Sequence, residues 1–340
     1  MSDLQHTDVA VLLATYNGVQ YVERQITSLS ENRTPFKLHW LDDHSIDRTR
    51  EVVRAAARSA NIEIQEHHQS RHQGVPGAFF QLLECVEADI YLFCDQDDIW
   101  QPGKIDAIAA NLLPDLELPV ICFSDPLFFK DDNPDICYPG LEILGTRIEV
   151  AMEESRIFMS EVGYGHTEGF TRPLRDLFVI HREVARSHAF MHDMWMYDIA
   201  VAAGTARILC DAPTTLYRWH GSNSSSDFGG WRGKGVGHIS TTQRQHQRLR
   251  RSIARHAEGF ILASPTLPQS PKLERLLAFA RLVATIDRRQ SPISLLRLIR
   301  RRVTWASWRL AVGLAVACLC SDATTHSDAK PRSVSAQRSA

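Results

Sequence analysis

The stretch VLLATYNG at residues 11–18 decides the fold reading. Val9–Ala14 is a short, uninterrupted apolar run, the pattern of a strand covered on both faces. It passes directly into the polar turn Thr15-Tyr16-Asn17-Gly18. Two later stretches repeat the arrangement, LDDHSIDRT at 41–49 and FCDQDDIWQPGK at 93–104. In each, an apolar strand ends in a cluster of polar and acidic residues.

Between these strand ends the periodicity switches to that of helices. Strands are expected at Phe36–Leu41, Ile62–Gln65, Asp89–Cys94 and Val120–Phe123, besides the first. Helices are expected at Val19–Ser30, Asp47–Ser59, Val75–Val86 and Pro102–Leu112, the last with proline at its start. Such alternation predicts an α/β fold, a mostly parallel sheet with helices on both faces. Residues 126–165 read as an irregular excursion, 173–204 as helical, and Ile208–Leu209 as one more short strand. A Gly- and Ser-rich loop at 221–237 then leads to a C-terminal helical extension. The expected division is a catalytic domain at 1–230, a basic helical region at 231–320 and a disordered tail at 321–340.

The chain has 340 residues and a net charge of −2, which hides a strong asymmetry. Residues 1–230 carry 18 basic and 35 acidic side chains, whereas residues 231–310 carry 17 basic and 3 acidic. An acidic front half argues against nucleic acid as a partner, and a basic back end suits an anionic surface. That surface is either a membrane or the acidic front half itself. Leu310–Cys320 is apolar but too short for a conventional membrane span. The expectation is peripheral membrane contact through the C-terminal helices, set against packing on the catalytic domain or in an oligomer. The seven cysteines lack metal-ligand or disulfide-framework spacing, and the N-terminus lacks the pattern of a signal peptide. Both features predict reduced thiols and a cytoplasmic location.

In a parallel sheet, ligands bind outside the carboxyl ends of the strands. Asp42, Asp43, Asp95, Asp97 and Asp98 all fall there. Five carboxylates around one crevice repel one another unless a cation lies between them, and Mg²⁺ or Mn²⁺ suits oxygen ligands that share a phosphate. Neither glycine-rich phosphate loop follows the first strand, so a nucleotide would be held by metal and side chains. His67, His68 and His72 lack an acid or cysteine at zinc-ligand spacing and read as solvated surface. Trp100 is expected to pack beside the acidic loop, and His192 to be structural.

The three stretches together resemble the inverting family 2 glycosyltransferases of the GT-A fold, over roughly residues 8–225. GHTEGFTRPL (165–174), MHDMW (191–195) and LYRWHGSN (216–223) resemble the subset containing bacterial rhamnosyltransferases of surface-polysaccharide assembly. The resemblance implies roles residue by residue. Thr15, Tyr16 and Asn17 belong to the first nucleotide-binding turn. Tyr16 and Asp43 would contact base and ribose, supported by Asp42, and Asp95 would lie near the ribose. Asp97 would bind the metal that meets the diphosphate, with His220 closing over it and Arg218 nearby. Asp193 would be the catalytic base. His44 stands where the family often has glycine, and Met194 where it often has a second aromatic.

These roles imply transfer of a sugar, with L-rhamnose from dTDP-rhamnose as the named expectation, from a nucleotide-diphosphate donor to a saccharide or lipid-linked acceptor. Two rivals stand beside it. A nucleotidyltransferase acting on sugar phosphates would want a glycine- and lysine-rich signature after the first strand, and none is present. A non-catalytic scaffold that binds nucleotide sugars would not need Asp193.

Overall fold

The computed structural model describes residues 6–130, 137–140, 164–209, 215–220 and 239–284. The expected alternation is present from the first strand. Val9–Thr15 (β1), Lys37–Asp42 (β2), Ile64–His67 (β3) and Ile90–Cys94 (β4) alternate with helices Val22–Leu29 (α1), Thr49–Ser59 (α2) and Gly74–Cys85 (α3). Lys104–Leu112 (α4) follows the two-residue strand Ile99–Trp100 (β5) and leads to Val120–Ser124 (β6). Arg172–His188 (α5) and His192–Ala203 (α6) precede Thr205–Leu209, which pairs in parallel with β6.

Side-chain alternation along β1 explains why helices cover both faces. Val9, Val11 and Leu13 point into one core with Val22 and Ile26 of α1, Val53 of α2 and Ile105 of α4. Ala10 and Leu12 point into the other, with Phe79 and Leu82 of α3, Phe178 of α5 and Trp195 of α6. Both faces are therefore dry, which is why the strands read as continuous apolar runs.

The central sheet has seven strands. β3, β2, β1 and β4 lie side by side in parallel, and β6 with Thr205–Leu209 forms a second parallel pair. Glu168–Thr171 sits between β4 and β6, antiparallel to both, with Gly169 opposite Leu92 on one side and Cys122 on the other. A side chain at Gly169 would lie 2.3 Å from Ile108 Cγ2, so the position needs glycine.

The structure departs from the sequence reading after residue 126. Leu127–Lys130 and Cys137–Pro139 are strands, not irregular excursion, and join Ile99–Trp100 and Thr215–Trp219 in a second, four-stranded sheet. In chain order the later strands are β7 (Leu127–Lys130), β8 (Cys137–Pro139), β9 (Glu168–Thr171), β10 (Thr205–Leu209) and β11 (Thr215–Trp219). β11 runs parallel to β7 and antiparallel to β5, which carries it alongside the acidic loop after β4.

The C-terminal helices Ile239–Ala263 (α7) and Pro271–Ala284 (α8) join the main core as far as residue 284. Ile253, Ala257, Phe260, Leu273, Leu276 and Val283 share one buried cluster with Phe178 and Trp195. Gly259 makes this approach close, since a Cβ there would lie 2.5 Å from His188 Cβ. Among the described residues, no helix is long and apolar enough to cross a membrane. The Gly/Ser-rich loop, the apolar run Leu310–Cys320 and the tail lie outside the described residues.

Two predictions follow from this packing. A Cβ at Gly204, between α6 and β10, would lie 1.7 Å from the Pro119 carbonyl oxygen, a backbone atom that already accepts from Thr205 N–H. Gly204→Ala is expected to cost about 3 kcal/mol of stability in denaturant unfolding, in the range of buried clashes. His192 stacks on Phe79 at 4.0 Å and meets the edge of Phe93 at 4.5 Å. Burial there lowers its pKa to about 4, against a smaller opposing effect of Asp193. The unfolded chain takes up this proton near pH 6.5 and the folded one only near pH 4, so stability falls as pH drops between the two. The loss approaches roughly 3 kcal/mol, and His192→Phe is expected to flatten this acid limb. An unchanged limb in the variant would show that His192 is not responsible.

Candidate active site

The registers Leu13↔Cys94 and Thr15↔Asp42 bring the carboxyl ends of β4, β1 and β2 level with one another. The three polar turns therefore meet at one edge, as expected, and their side chains tie the turns together. Asp42 accepts hydrogen bonds from Thr15 Oγ1 (3.0 Å), Ser45 N–H (2.9 Å), Ser45 Oγ (2.6 Å) and Arg50 Nε (2.6 Å). Burial raises its pKa, but these donors outweigh that and hold it below the ordinary value. Thr15 is itself buried and accepts from Trp40 Nε1 at 3.0 Å. Asn17, in the left-handed region at φ 49°, accepts from Ile46 N–H through Oδ1 and donates its own N–H to Ser45 Oγ. Thr15, Asn17 and Asp42 thus brace the first two turns.

Tyr16 and Asp43 lie further into the crevice. The Tyr16 ring is exposed and lies 4.4 Å from His72. Asp43 is buried and accepts the Gln73 and Gly74 N–H groups that open α3, at 2.9 and 2.8 Å. Gln69 Nε2 also donates to Asp43, and His72 Nδ1 stands 2.9 Å from Oδ2. His72 therefore borders this site although it is exposed, as the surface reading expected, as is His68; His67 is half-buried and contacts His39 at 3.0 Å. Gln96 clasps Tyr16 from the other side, accepting its N–H at 2.9 Å and donating to its carbonyl at 3.1 Å.

The acidic turn after β4 is the electrostatic centre. Burial, then the charges of Asp97 and Asp193, push the Asp95 pKa up to about 8. Asp98 is fully buried, and burial followed by Asp97 and Asp95 raises it well above its ordinary value. Asp97 Oδ2 meets His220 Nε2 at 3.0 Å, and the His220 ring stacks on Tyr21 at 4.7 Å. Arg218 donates its backbone N–H to Asp98 Oδ1 and its Nε to the Asp97 carbonyl, at 3.0 and 2.9 Å. Its guanidinium lies over Tyr21 and Phe129, so β11 fixes Arg218 and His220 against the acidic turn.

Asp193 approaches from α6. Its Oδ2 accepts Gly165 N–H at 3.0 Å and its Oδ1 accepts Met194 N–H at 2.7 Å, in the first turn of the helix. A helix N-terminus favours negative charge there. The Gly165 N–H that Asp193 accepts adjoins His166, whose Nδ1 lies 3.6 Å from Asp98 Oδ2, so Asp193 stands toward the acidic turn. The site residues expected from sequence thus gather around one edge of the sheet.

Sequence reasoning missed two buried charges. Lys104, at the start of α4, is fully buried, donates to the His166 carbonyl and to Thr215 Oγ1 (2.7 Å), and rests 3.6 Å above Trp100. Burial lowers it to about 7, against the pull of Cys94, Asp98 and Asp95. It links α4, the loop before β9 and β11. Glu168 is also fully buried, with neither carboxylate oxygen hydrogen-bonded, and burial, then Asp193 and Asp198, hold it well above its ordinary range. His166 stacks between Tyr164 and Tyr217, and burial, then Lys104, keeps it well below its ordinary value. Trp100 packs beside the acidic turn as expected, and Trp195 is core, while Trp219 is exposed.

The donor set fits a hard divalent cation. Asp97 and His220 face each other within one cation's reach, and the acids around them lack compensating charge beyond Arg218 and Lys104. Among the described residues, no group of three or more His, Cys, Asp or Glu side chains forms a complete cage. A cation here would draw the rest of its shell from a ligand.

Comparison with known proteins agrees with this arrangement. Residues 10–122 match the model of the family "Glycosyl transferase family 2". An uncharacterised glycosyltransferase of Nostoc sp. is 30% identical over 101 residues, 29% of this chain and 31% of that one. The match therefore spans about a third of that relative's length. The dTDP-rhamnosyl transferase RfbG of Shigella flexneri is 26% identical over 223 residues, 62% of this chain and 72% of its own. Among solved structures, a mannosyltransferase of Pyrobaculum calidifontis in complex with GDP-Man and Mn²⁺ aligns with a TM-score of 0.53 at 15% identity, covering 95% of this chain and 88% of that one. TarS 1–349 of S. aureus in complex with UDP aligns with a TM-score of 0.51 at 15% identity, covering 93% and 92%. The structural likenesses establish the GT-A fold. The match to the glycosyl transferase family 2 model holds the motif-bearing strands β1, β2 and β4 and covers a third of the chain.

Proposed function

We propose that the protein is a metal-dependent inverting glycosyltransferase that moves a sugar from a nucleotide-diphosphate donor to a hydroxyl of a saccharide or lipid-linked acceptor. The observation that carries the reading is that Asp193 accepts the N–H of Gly165, whose neighbour His166 lies 3.6 Å from Asp98 in the acidic turn that carries the Asp97–His220 pair. An acid suited to a cation and a separately held carboxylate thus stand at one end of the sheet. Support for a dTDP-rhamnose donor comes from the likeness to RfbG, which spans 62% of this chain. Support for a divalent cation comes from the Asp97–His220 pair and from the Mn²⁺ complex of the fold relative. The basic C-terminal region suits an acceptor at a membrane surface.

In this mechanism Tyr16 and the Asp43–His72 pair flank the nucleoside, and Asp97 and His220 would hold the cation. When bound, the cation would neutralise charge on the departing diphosphate. Arg218, held between Asp98 and the Asp97 carbonyl, adds fixed positive charge on the same side. Asp193 takes the proton of the acceptor hydroxyl as its oxygen bonds to the anomeric carbon. The bond from that carbon to the diphosphate oxygen breaks with its electron pair, so configuration inverts in a single displacement. The two backbone N–H groups on Asp193 fix the carboxylate without consuming all its acceptor positions.

Titration calorimetry with UDP-, GDP- and dTDP-sugars, with and without Mn²⁺ or Mg²⁺, tests the donor half. One donor is expected to bind in a metal-dependent manner, and Asp97→Ala to weaken it at least about tenfold, as loss of a charged ligand implies. Binding indifferent to both metal and Asp97 would overturn the metal assignment. For the base, Asp193→Asn is expected to preserve donor affinity and lower kcat by roughly 10²–10⁴. Near-normal turnover in that variant would remove Asp193 from the chemistry.

A further inference from the structure

His256 of the C-terminal helix α7 makes hydrogen bonds to the segment that presents Asp193. It is fully buried, beside Ile253, Ala257 and Phe260, which join the helix to the core. Its Nδ1 lies 2.9 Å from Phe190 N, and its Nε2 lies 2.9 Å from Asp198 Oδ2. A backbone N–H can only donate, so Nδ1 accepts from Phe190 and Nε2–H donates to Asp198. Trp195 closes the ring's edge at 5.4 Å. His256 therefore bridges two points of one unit: the residue just before Met191-His192-Asp193, and the second turn of the helix that begins there.

The location matters because the chain turns sharply at Phe190. α5 ends at His188 and α6 begins at His192, so three residues carry the reversal and set the direction in which Asp193 leaves it. Asp193 has its own restraints from the Gly165 and Met194 N–H groups. His256 holds the turn before it from the interior. The close packing at Gly259, against His188 and Trp195, fixes the helix that carries it.

We infer that His256 is a positioning residue for the reaction: its acceptor nitrogen anchors the 189–191 turn and thereby aims the Asp193 carboxylate, making α7 part of the catalytic machinery. This rests on the assignment of Asp193 as base, though the anchoring itself does not. The two bonds separate by substitution. His256→Asn puts an amide oxygen near the place of Nδ1, retaining an acceptor for Phe190 N–H while losing the bond to Asp198. His256→Gln puts an amide nitrogen near the place of Nε2, retaining the bond to Asp198 while leaving Phe190 N–H without its acceptor.

Both variants of the full chain are expected to have lower thermal midpoints. Hydrogen exchange at the amides of Phe190–Asp193 is expected to accelerate at least about tenfold in His256→Gln and far less in His256→Asn. For turnover of the nucleotide sugar found to bind, His256→Gln is expected to lose about tenfold in kcat with donor KM unchanged, and His256→Asn to stay within about threefold of the natural enzyme. Equal exchange in the two variants, or kcat losses that simply follow the fall in midpoint, would overturn the inference and leave His256 a core residue. If Asp193→Asn keeps its turnover, the base assignment fails, and the exchange comparison alone then decides whether the turn is anchored by His256.

Discussion

Negative charge confined at the end of one strand governs much of this architecture. β4 is fully buried, and the chain leaving it must place Asp95, Asp97 and Asp98 within four residues of the core. Their mutual repulsion, increased by burial and by Asp193, is visible in the upward displacement of Asp95 and Asp98. The surrounding elements supply positive or hydrogen-bonding groups in response. β11 exists as a partner of β5 and β7, and in that position it offers Arg218 N–H to Asp98 and His220 to Asp97. Lys104 enters from α4 beneath the same turn. A cation would complete what these residues only partly achieve.

Lys104 and Glu168 show how differently two buried ionisable groups are accommodated. Lys104 has two oxygen partners, an aromatic face below it and acids nearby, so its ammonium is offset although burial opposes the charge. Glu168 has no hydrogen-bond partner at either oxygen, and burial with anionic neighbours raises it well above the ordinary carboxyl range. The lysine ties three segments of the site together, whereas the glutamic acid ties none through hydrogen bonds. Burial of a polar group is compensated by partners in one case and by a shifted titration in the other.

The N-terminal half of the fold was legible because its information is local. A strand dry on both faces must be continuously apolar, and Val9–Thr15, Lys37–Asp42 and Ile90–Cys94 fall close to where the apolar runs place them. Asp97 and Asp193 stood out as candidates through their sequence surroundings. The strands that escaped reading are short and depend on distant partners. β9 contains Glu168 and Gly169, which disfavour a strand by propensity, and only insertion between β4 and β6 makes it one. β7 and β11 pair across nearly ninety residues. Lys104 reads as a solvated helix-start residue until the topology encloses it, and His256 gives no local signal because both its partners lie in another helix pair.

The antiparallel strand β9 has a consequence for the timing of synthesis. β4 and β6 are neighbours of β9, not of each other, so each has an open edge until residues 168–171 emerge. Ribosomes add roughly 5–20 residues per second, which leaves β4 paired on one edge and β6 on neither for several seconds after Ser124 is made. Unpaired strand edges are templates for association with other chains. The nascent protein therefore passes through an interval of greatest vulnerability that four residues of β9 shorten by joining β4 to β6, and that β10 ends by covering the far edge of β6, before the helix bearing His256 can fold against the sheet.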